Sequence, residues 1–315
     1  MPEKWKKVLK INNNNNNKKT IKAMKKRLFP LAALALAFVA CDKNDDLVVD
    51  NTKDTPITIA SAGVAELTTR VITEGYLIGS MDEPVSISVW VEGSAEKYNA
   101  DNVKWVHNGT DWSAKSQTLF EGTNSEQEIC ALSPYRADAT LEDGVTITAD
   151  GVTDYLVAAS TPVTSNSVSL TMTHALTKLV LQPTFGNEVT NTNIAKVEVG
   201  GMYASGTLNI SDNTWSKLSK ANSTLEMDNK EVLVIPMSGC TSFPIVITME
   251  DYRVFKTNIN CPVISPADAE VTVYGLAAGT QYTISLQIGQ DKVTIGDITA
   301  ASWGTPVVGG DLETE

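Results

Sequence analysis

Few residues of this chain are equipped for catalysis. It holds two histidines, His107 beside a turn in WVHNGTDW and His174 at the end of an alternating run before ALTKL. A lone histidine in a strand is more often packed or hydrogen-bonded than a base, and no GxSxG elbow, HExxH helix, Walker loop or GxGxxG leading into a helix accompanies either one. The 37 acidic residues are numerous enough for a glycosidase-type carboxylate pair. Their scatter through loops is instead that of a solvated surface. DNTWSK and DNKE lack the regular acidic spacing around a glycine that a calcium loop needs. Cys130, Cys240 and Cys261 have no CxxC spacing, so zinc-ribbon and redox-motif readings fail. Cys240 and Cys261 are read as small buried hydrophobes, with a bridge in an oxidising envelope as the alternative. The residues therefore predict no catalytic group, no metal site and no cofactor. Trp105 and Trp112 flank the Asn108-Gly109 turn, where they could pair across a hairpin. Exposed, they would form a stacking platform for sugar rings; buried, they are core and cross-strand contacts, which is the preferred reading.

Two other residues carry a different chemistry. In LAALALAFVACDKNDD an apolar run ends at Cys41 and turns acidic at once. The run from Leu28 to Ala40 is about 13 residues, too short for a bilayer core that needs roughly 20, but long enough for a signal-peptide core. MKKR, Met24 to Arg27, gives it a positive start, so translation is expected to begin at Met24 and residues 1–23, with six consecutive asparagines, are read as an over-extended or disordered leader. Phe38-Val39-Ala40-Cys41 resembles the bacterial lipobox, in which the cysteine is diacylated and becomes the new N-terminus. Several acyl chains, at about 0.8 kcal/mol per buried CH₂, make a stable anchor where one short chain is marginal. Residues 24–40 would then be the lipoprotein signal and 41–54 a solvated acidic tether.

Charge narrows the partners. Beyond residue 40 the chain keeps 15 Lys+Arg against 36 Asp+Glu, a balance of −21. A surface this acidic repels phosphate backbones and anionic lipid heads, which disfavours nucleic acid and leaves any membrane attachment to the lipid. Arginine is rare there: Arg70, Arg136 and Arg253. Arg70 follows the first predicted strand, PITIASAG, so a trypsin-like cut after it would release everything from Cys41 through that strand. An exposed loop arginine without a processing role is the alternative, and spacing alone prefers it.

The elements that hold these residues are almost wholly β. In PVSISVWVEG, Val85, Ile87, Val89 and Val91 share one face while Ser86, Ser88 and Trp90 take the other, the pattern of a half-buried strand. The same alternation recurs in VTITA, SVSLTMTH, IAKVEVGG and YTISLQI, with Asn108-Gly109, Asp143-Gly144, Asp150-Gly151 and Ala278-Gly279 as turns. Antiparallel sandwiches follow, and about 270 residues suit two of them. The polar, turn-rich QPTFGNEVTNTN places the boundary so that the domains run 55–182 and 183–315.

Taken in order, the lipobox, an early strand followed by Thr69-Arg70, VKWVHNGTDW, ICALSPY, LTMTHALTKLVL and GLAAGTQYTISLQI with a late Trp303 resemble the fimbrillin family of type V pilus subunits and surface lipoproteins of Bacteroidetes-type bacteria. The resemblance implies two tandem transthyretin-like β-sandwich domains, export to the outer membrane as a lipoprotein, and lipidation at Cys41. It further implies cleavage by an arginine-specific protease at Arg70, which removes the first strand so that a strand from another pilin subunit fills the groove. His174 and Pro134-Tyr135 match family landmarks read as packing positions. The polar tail after Trp303 lacks the alternation of a donor strand, which suits a tip or accessory subunit. The expectation is thus a structural or adhesive pilus subunit rather than an enzyme, with a surface lipoprotein binding glycan or host protein as the alternative.

Overall fold

Alternation of apolar and polar residues becomes strand almost throughout the computed structural model, which describes residues 53–67, 72–76 and 85–303. The first half supplies β1 (Thr58–Leu67), β2 (Ile72–Tyr76), β3 (Val85–Glu92), β4 (Ala100–His107), β5 (Trp112–Ala114), β6 (Glu128–Ser133), β7 (Val145–Thr148), β8 (Leu156–Pro162) and β9 (Ser167–His174). The second half supplies β10 (Thr177–Phe185), β11 (Ile194–Val199), β12 (Tyr203–Asn209), β13 (Thr214–Lys220), β14 (Leu225–Glu226), β15 (Glu231–Val234) and β16 (Met237–Ser238). It ends with β17 (Ser242–Met249), β18 (Val254–Asn260), β19 (Gly275–Leu276), β20 (Thr280–Ile288) and β21 (Val293–Ser302). A 3-10 turn at Glu96–Tyr98 interrupts the pattern. Among the described residues no helix is long and apolar enough to cross a membrane. The all-β expectation holds.

The strands pair into an eight-stranded sheet, β2-β1-β9-β8-β6-β3-β4-β5, and two four-stranded sheets, β15-β10-β20-β21 and β14-β11-β17-β18. A three-stranded sheet, β13-β12-β7, draws β7 from the first half onto two strands of the second, and β16 pairs with β19. Strand β9 shows how the sequence sets the fold. Leu170, Met172 and His174 are buried while Ser169, Thr171 and Thr173 between them are exposed, so one face meets the core and the other water.

Three apolar cores result. Ile59, Val64, Ile87, Phe120 and Met172 belong to the first, under the eight-stranded sheet. Leu179, Leu181, Phe243, Ile245 and Leu286 belong to the second, between the two four-stranded sheets. A third takes residues from both halves, including Trp90, Leu132, Ile147, Leu176, Leu208 and Trp303. This third core corrects the reading of β3. Trp90 is 1% exposed and Ser88 0%, so β3 is buried on both faces rather than half-buried, because the face opposite Val89 is covered at the junction.

The described residues all fall in one compact unit. Within it Gln182 sits inside β10, opposite Ser285 of β20, so a division between 182 and 183 would cut a paired strand. The chain passes from one sheet system to the other at Ala175-Leu176, between β9 and β10, both buried. The polar composition of 186–193 marks the loop after β10 instead. Leu179 and Leu181, at 0% and 3% exposed, face the second core and keep β10 with β20 and β15.

Candidate functional site

Strand β1 is the element with the most distinctive placement. It runs parallel to β9, whereas the other pairings described in the eight-stranded sheet are antiparallel. Registers Thr58↔Ser167 through Val64↔Met172 follow one another with an irregularity between Ile59 and Ser61. That bulge explains the burial pattern. Ile57 and Ile59 point inward, the phase shifts at Ala60, and Ala62 and Val64 take the inward positions after it. Burying Ile57, Ile59 and Val64 contributes about 5–9 kcal/mol in transfer terms.

The partner of β1 depends on it. Strand β8 pairs with β9 only at Leu156↔His174 and Val157↔Thr173. Over Ser167 to Met172 the ladder of β9 is the one it makes with β1. Removal of β1 therefore strips backbone donors and acceptors along most of β9 and opens the apolar groove that Ile59 and Val64 fill. Unpaired strand groups beside an apolar trough are what an added strand recognises.

Residues before β1 tie it down a second time. Asp54 N–H donates to Phe120 O at 2.8 Å, Ile57 N–H to Thr118 O at 2.8 Å, and Phe120 N–H to Thr55 O at 2.8 Å. The Asp54 carboxylate accepts from Lys97 Nζ and Tyr98 Oη, both at 2.7 Å. Lys97, then Tyr98, hold its carboxyl below the usual aspartate value. Beneath this lies Gln127, fully buried, whose Nε2 donates to Tyr98 O and Leu119 O at 2.9 Å while its Oε1 accepts from Glu121 N–H at 3.0 Å. Nothing in the sequence marks Gln127, since GTNSEQE has the composition of a loop.

The remaining predicted residues separate cleanly. Cys41 and Arg70 lie outside the described residues. Trp105 is 8% exposed and belongs to the first core; it stands opposite Ala114, and Trp112 stands opposite His107. The two tryptophans are not cross-strand partners and do not present a paired sugar platform. His107 is buried, accepts from Gly109 N–H on Nδ1 at 3.2 Å and meets the Trp112 ring edge-on at 5.2 Å. Tyr135 is half-buried and donates its N–H to Ser86 O at 2.9 Å, but Pro134 is exposed at the end of β6, so only one of that pair packs.

His174 packs as expected. Its ring is 3% exposed, stacks on Trp303 with centroids 3.7 Å apart, and has Nδ1 2.8 Å from Asp154 Oδ2. Trp303 is in turn fixed by its N–H donating to Gly279 O at 3.0 Å, with Gly279 N–H donating to Leu176 O at 2.9 Å. Gly279 has φ +65°, which a side chain would strain.

Arg136 and Arg253 are engaged. Arg136 grips Asp138 through Nε and Nη2 at 2.9 and 2.7 Å and reaches Tyr155 Oη. Arg253 holds Asp251 and donates to the carbonyls of Asn191, Gly289 and Gln290, joining three loops. Among the described residues no group of three or more His, Cys, Asp or Glu converges as a metal site would. A cleft lined by Asp150, Lys196, Glu226 and Lys230 contains carboxylates, but they serve local structure. Burial raises the Asp150 value, yet hydrogen bonds from Thr153 and Val152 outweigh it and leave the carboxyl depressed, the opposite of a general acid. Glu226 pairs with Lys196 at 3.4 Å.

Compared with known families, residues 69–303 match the model described as fimbrillin-like. The chain belongs to the fimbrillin-like family. Two solved structures share its fold. One is a putative cell adhesion protein from Bacteroides ovatus, 18% identical, with a TM-score of 0.57 over 79% of this chain and 98% of the other. The second, a putative cell adhesion protein from Bacteroides uniformis, is 16% identical with a TM-score of 0.54, covering 79% of this chain and 99% of the other. No curated protein matches. The family model begins at residue 69, just after β1 ends at Leu67, so β1 lies outside the matched region while packing into its core.

Proposed function

We propose that this protein is a structural subunit of a cell-surface fimbria or adhesive fibre, delivered as a lipoprotein on Cys41 and made competent for assembly by a cut after Arg70. The observation that carries the reading is the pairing of β1. It is the main ladder partner of β9, it runs in the parallel sense, and Arg70 follows it three residues after its end. A cut there severs the covalent link between β1 and the body and leaves it held by hydrogen bonds, the Asp54–Lys97 ion pair and buried apolar side chains. An antiparallel strand of a second subunit then has both a bare ladder and an apolar groove to occupy. Because the groove is filled by a strand of another pilin subunit, the contact is head-to-tail, and contacts of that kind build filaments.

The other two arginines after the leader support Arg70 as the cut. A protease needs an extended segment to thread its site, and Arg136 and Arg253 are each held by a carboxylate and neighbouring backbone or hydroxyl groups. Strand β21 favours a receiving role. Its last residues, DITAAS, are already paired with β20, and Trp303 after them is buried. A tip or accessory subunit that accepts a strand fits this arrangement. The lack of a catalytic motif in the sequence and the depressed Asp150 carboxyl in the cleft point away from an enzyme.

Expression of Arg70→Ala on the cell surface tests the proposal. Electron microscopy should show filaments containing the wild-type chain and none containing the variant. Filaments built normally from Arg70→Ala would exclude cleavage at this residue as the trigger.

A further inference from the structure

The three cysteines of the described chain differ in what surrounds them. Cys130 is buried beside Trp90 and Leu132 in the third core, and burial pushes its thiol up to about 12, so it is a hydrophobic residue with no route to reaction. Cys240 and Cys261 face each other. Their Sγ atoms are 3.3 Å apart across 21 positions of sequence. Cys240 is half-exposed, and Cys261 is 4% exposed.

Backbone structure fixes this approach on both sides. The β17–β18 ladder runs out at Ser242↔Asn260, and Cys261 N–H donates to Thr241 O at 2.8 Å just beyond it. Next to it β16 pairs with β19 through Ser238↔Gly275, Gly239 N–H donates to Tyr274 O at 2.9 Å, and Gly275 N–H to Pro262 O at 3.0 Å. The two thiols thus stand where a four-stranded sheet meets a two-stranded one, at the root of the excursion 262–274. That excursion exposes Val263, Val271 and Tyr274, at 53%, 69% and 42%. Anchored backbone on both sides holds the two sulfurs 3.3 Å apart, and closing that gap to a bond of about 2.0 Å needs a small movement shared between two side chains.

We infer that Cys240 and Cys261 form a disulfide in the mature protein outside the cell, a staple that pins the root of the 262–274 excursion to the β17–β18 hairpin. The inference rests on the surface location proposed above, since such a bond persists in an oxidising compartment. The oxidant is a second disulfide, that of a thiol oxidoreductase or of oxidised glutathione. Cys240, the accessible thiol, loses its proton and its sulfur attacks one sulfur of the oxidant, whose other sulfur leaves as thiolate. Cys261 then loses its proton, attacks the Cys240 sulfur of the mixed disulfide and expels the oxidant's second thiolate. Two electrons pass from the cysteine pair to the oxidant, and the two protons end on its thiols. Burial and the neighbouring Cys240 push the Cys261 thiol up to about 12, which assigns it the second step, inside the mixed disulfide.

The test uses two preparations: a purified chain that begins at Asp42, and so lacks the Cys41 thiol while keeping every described strand, and protein shaved from cells. Incubated with oxidised glutathione and quenched with an alkylating agent, the purified chain should lose two mass units and yield a linked peptide containing Cys240 and Cys261, with Cys130 alkylated only after denaturation. Its thermal midpoint should exceed that of the reduced chain by roughly 5–10 °C, a shift that Cys240→Ser abolishes. Failure of the purified chain to form the link, or an equal midpoint in oxidant and reductant, overturns the inference. Protein released from intact cells by protease and alkylated at once should carry the same link. Free thiols at both positions in that released material would also overturn it, whereas the proposed surface location is judged separately, by whether the protease reaches the chain at all.

Discussion

The imidazole of His174 lies face to face with the indole of Trp303, ring centroids 3.7 Å apart and planes within 10°. His174 ends β9, the strand that β1 completes; Trp303 follows β21, the last strand of the second half. One contact therefore joins the strand that β1 pairs with to Trp303, a residue of the core that both halves share. Both residues stand out in the sequence as landmarks, and their pairing says why: each closes a strand and covers the other.

Replacing Trp303 by alanine should cost about 3–5 kcal/mol in urea unfolding, as large-to-small changes in a packed core do. Trp303→Phe should recover much of it. A double-mutant cycle between His174→Ala and Trp303→Leu should return a coupling of about 0.5–1.5 kcal/mol if the stack contributes beyond area alone. Additive effects would mean that the two rings merely share a core.

An arginine-specific protease acting on the folded chain should cut after Arg70 and spare Arg136 and Arg253, giving a nicked complex that mass spectrometry under native conditions detects intact. Ile59, 5% exposed, anchors the nicked strand. Ile59→Ala should speed loss of the strand at least about 30-fold, the equivalent of 2 kcal/mol at the low end for such a truncation. Retention at the wild-type rate would show that β1 is not held by its apolar face.

Acid should loosen the same strand. Lys97 and Tyr98 lower the Asp54 carboxyl below its ordinary 3.8, so their contact contributes above pH 3.8 and is lost as pH falls through the depressed folded-state value. Lys97, raised from its ordinary 10.5 to about 12 by the same partner, keeps its contribution through neutral pH and loses it as pH rises from about 10.5 through about 12. Retention of the nicked strand should then be flat from about pH 5 to 9 and fall in acid, with Asp54→Asn removing the acid step. Because Asp54 and Lys97 are exposed, the effect should also shrink with salt.

Much of this arrangement can be read from period-two patterning. Strands β9, β17 and β20 bury the alternate residues that their sequences mark, because each has one face on a core and one toward water. Patterning fails where a third layer covers the second face, as at Trp90 in β3, and where a bulge shifts the phase, as at Ala60 in β1. Composition misplaces the passage between halves. QPTFGN is polar, yet Gln182 to Phe185 continue β10 because the strand is held by its parallel partner β20. Gln127 is invisible for a related reason: its value lies in three backbone groups contributed by 98, 119 and 121, which only tertiary structure brings together.

The tryptophan pair yields a contrasting prediction. Trp105→Ala should destabilise the fold by about 3–5 kcal/mol in urea unfolding, because the ring is 8% exposed in the first core. Trp112→Ala should cost less, since Trp112 is half-buried. Glycan-array binding by a folded Trp112→Ala chain should equal that of the wild type; a selective loss would restore a sugar-stacking role to this turn.

Attachment at Cys41 is proposed to be temporary, with function beginning once β1 is detached. The most direct test is N-terminal sequencing of the chain recovered from assembled surface fibres. Cleavage after Arg70 predicts a start at Val71. A lipid-blocked start at Cys41 throughout that material would contradict it.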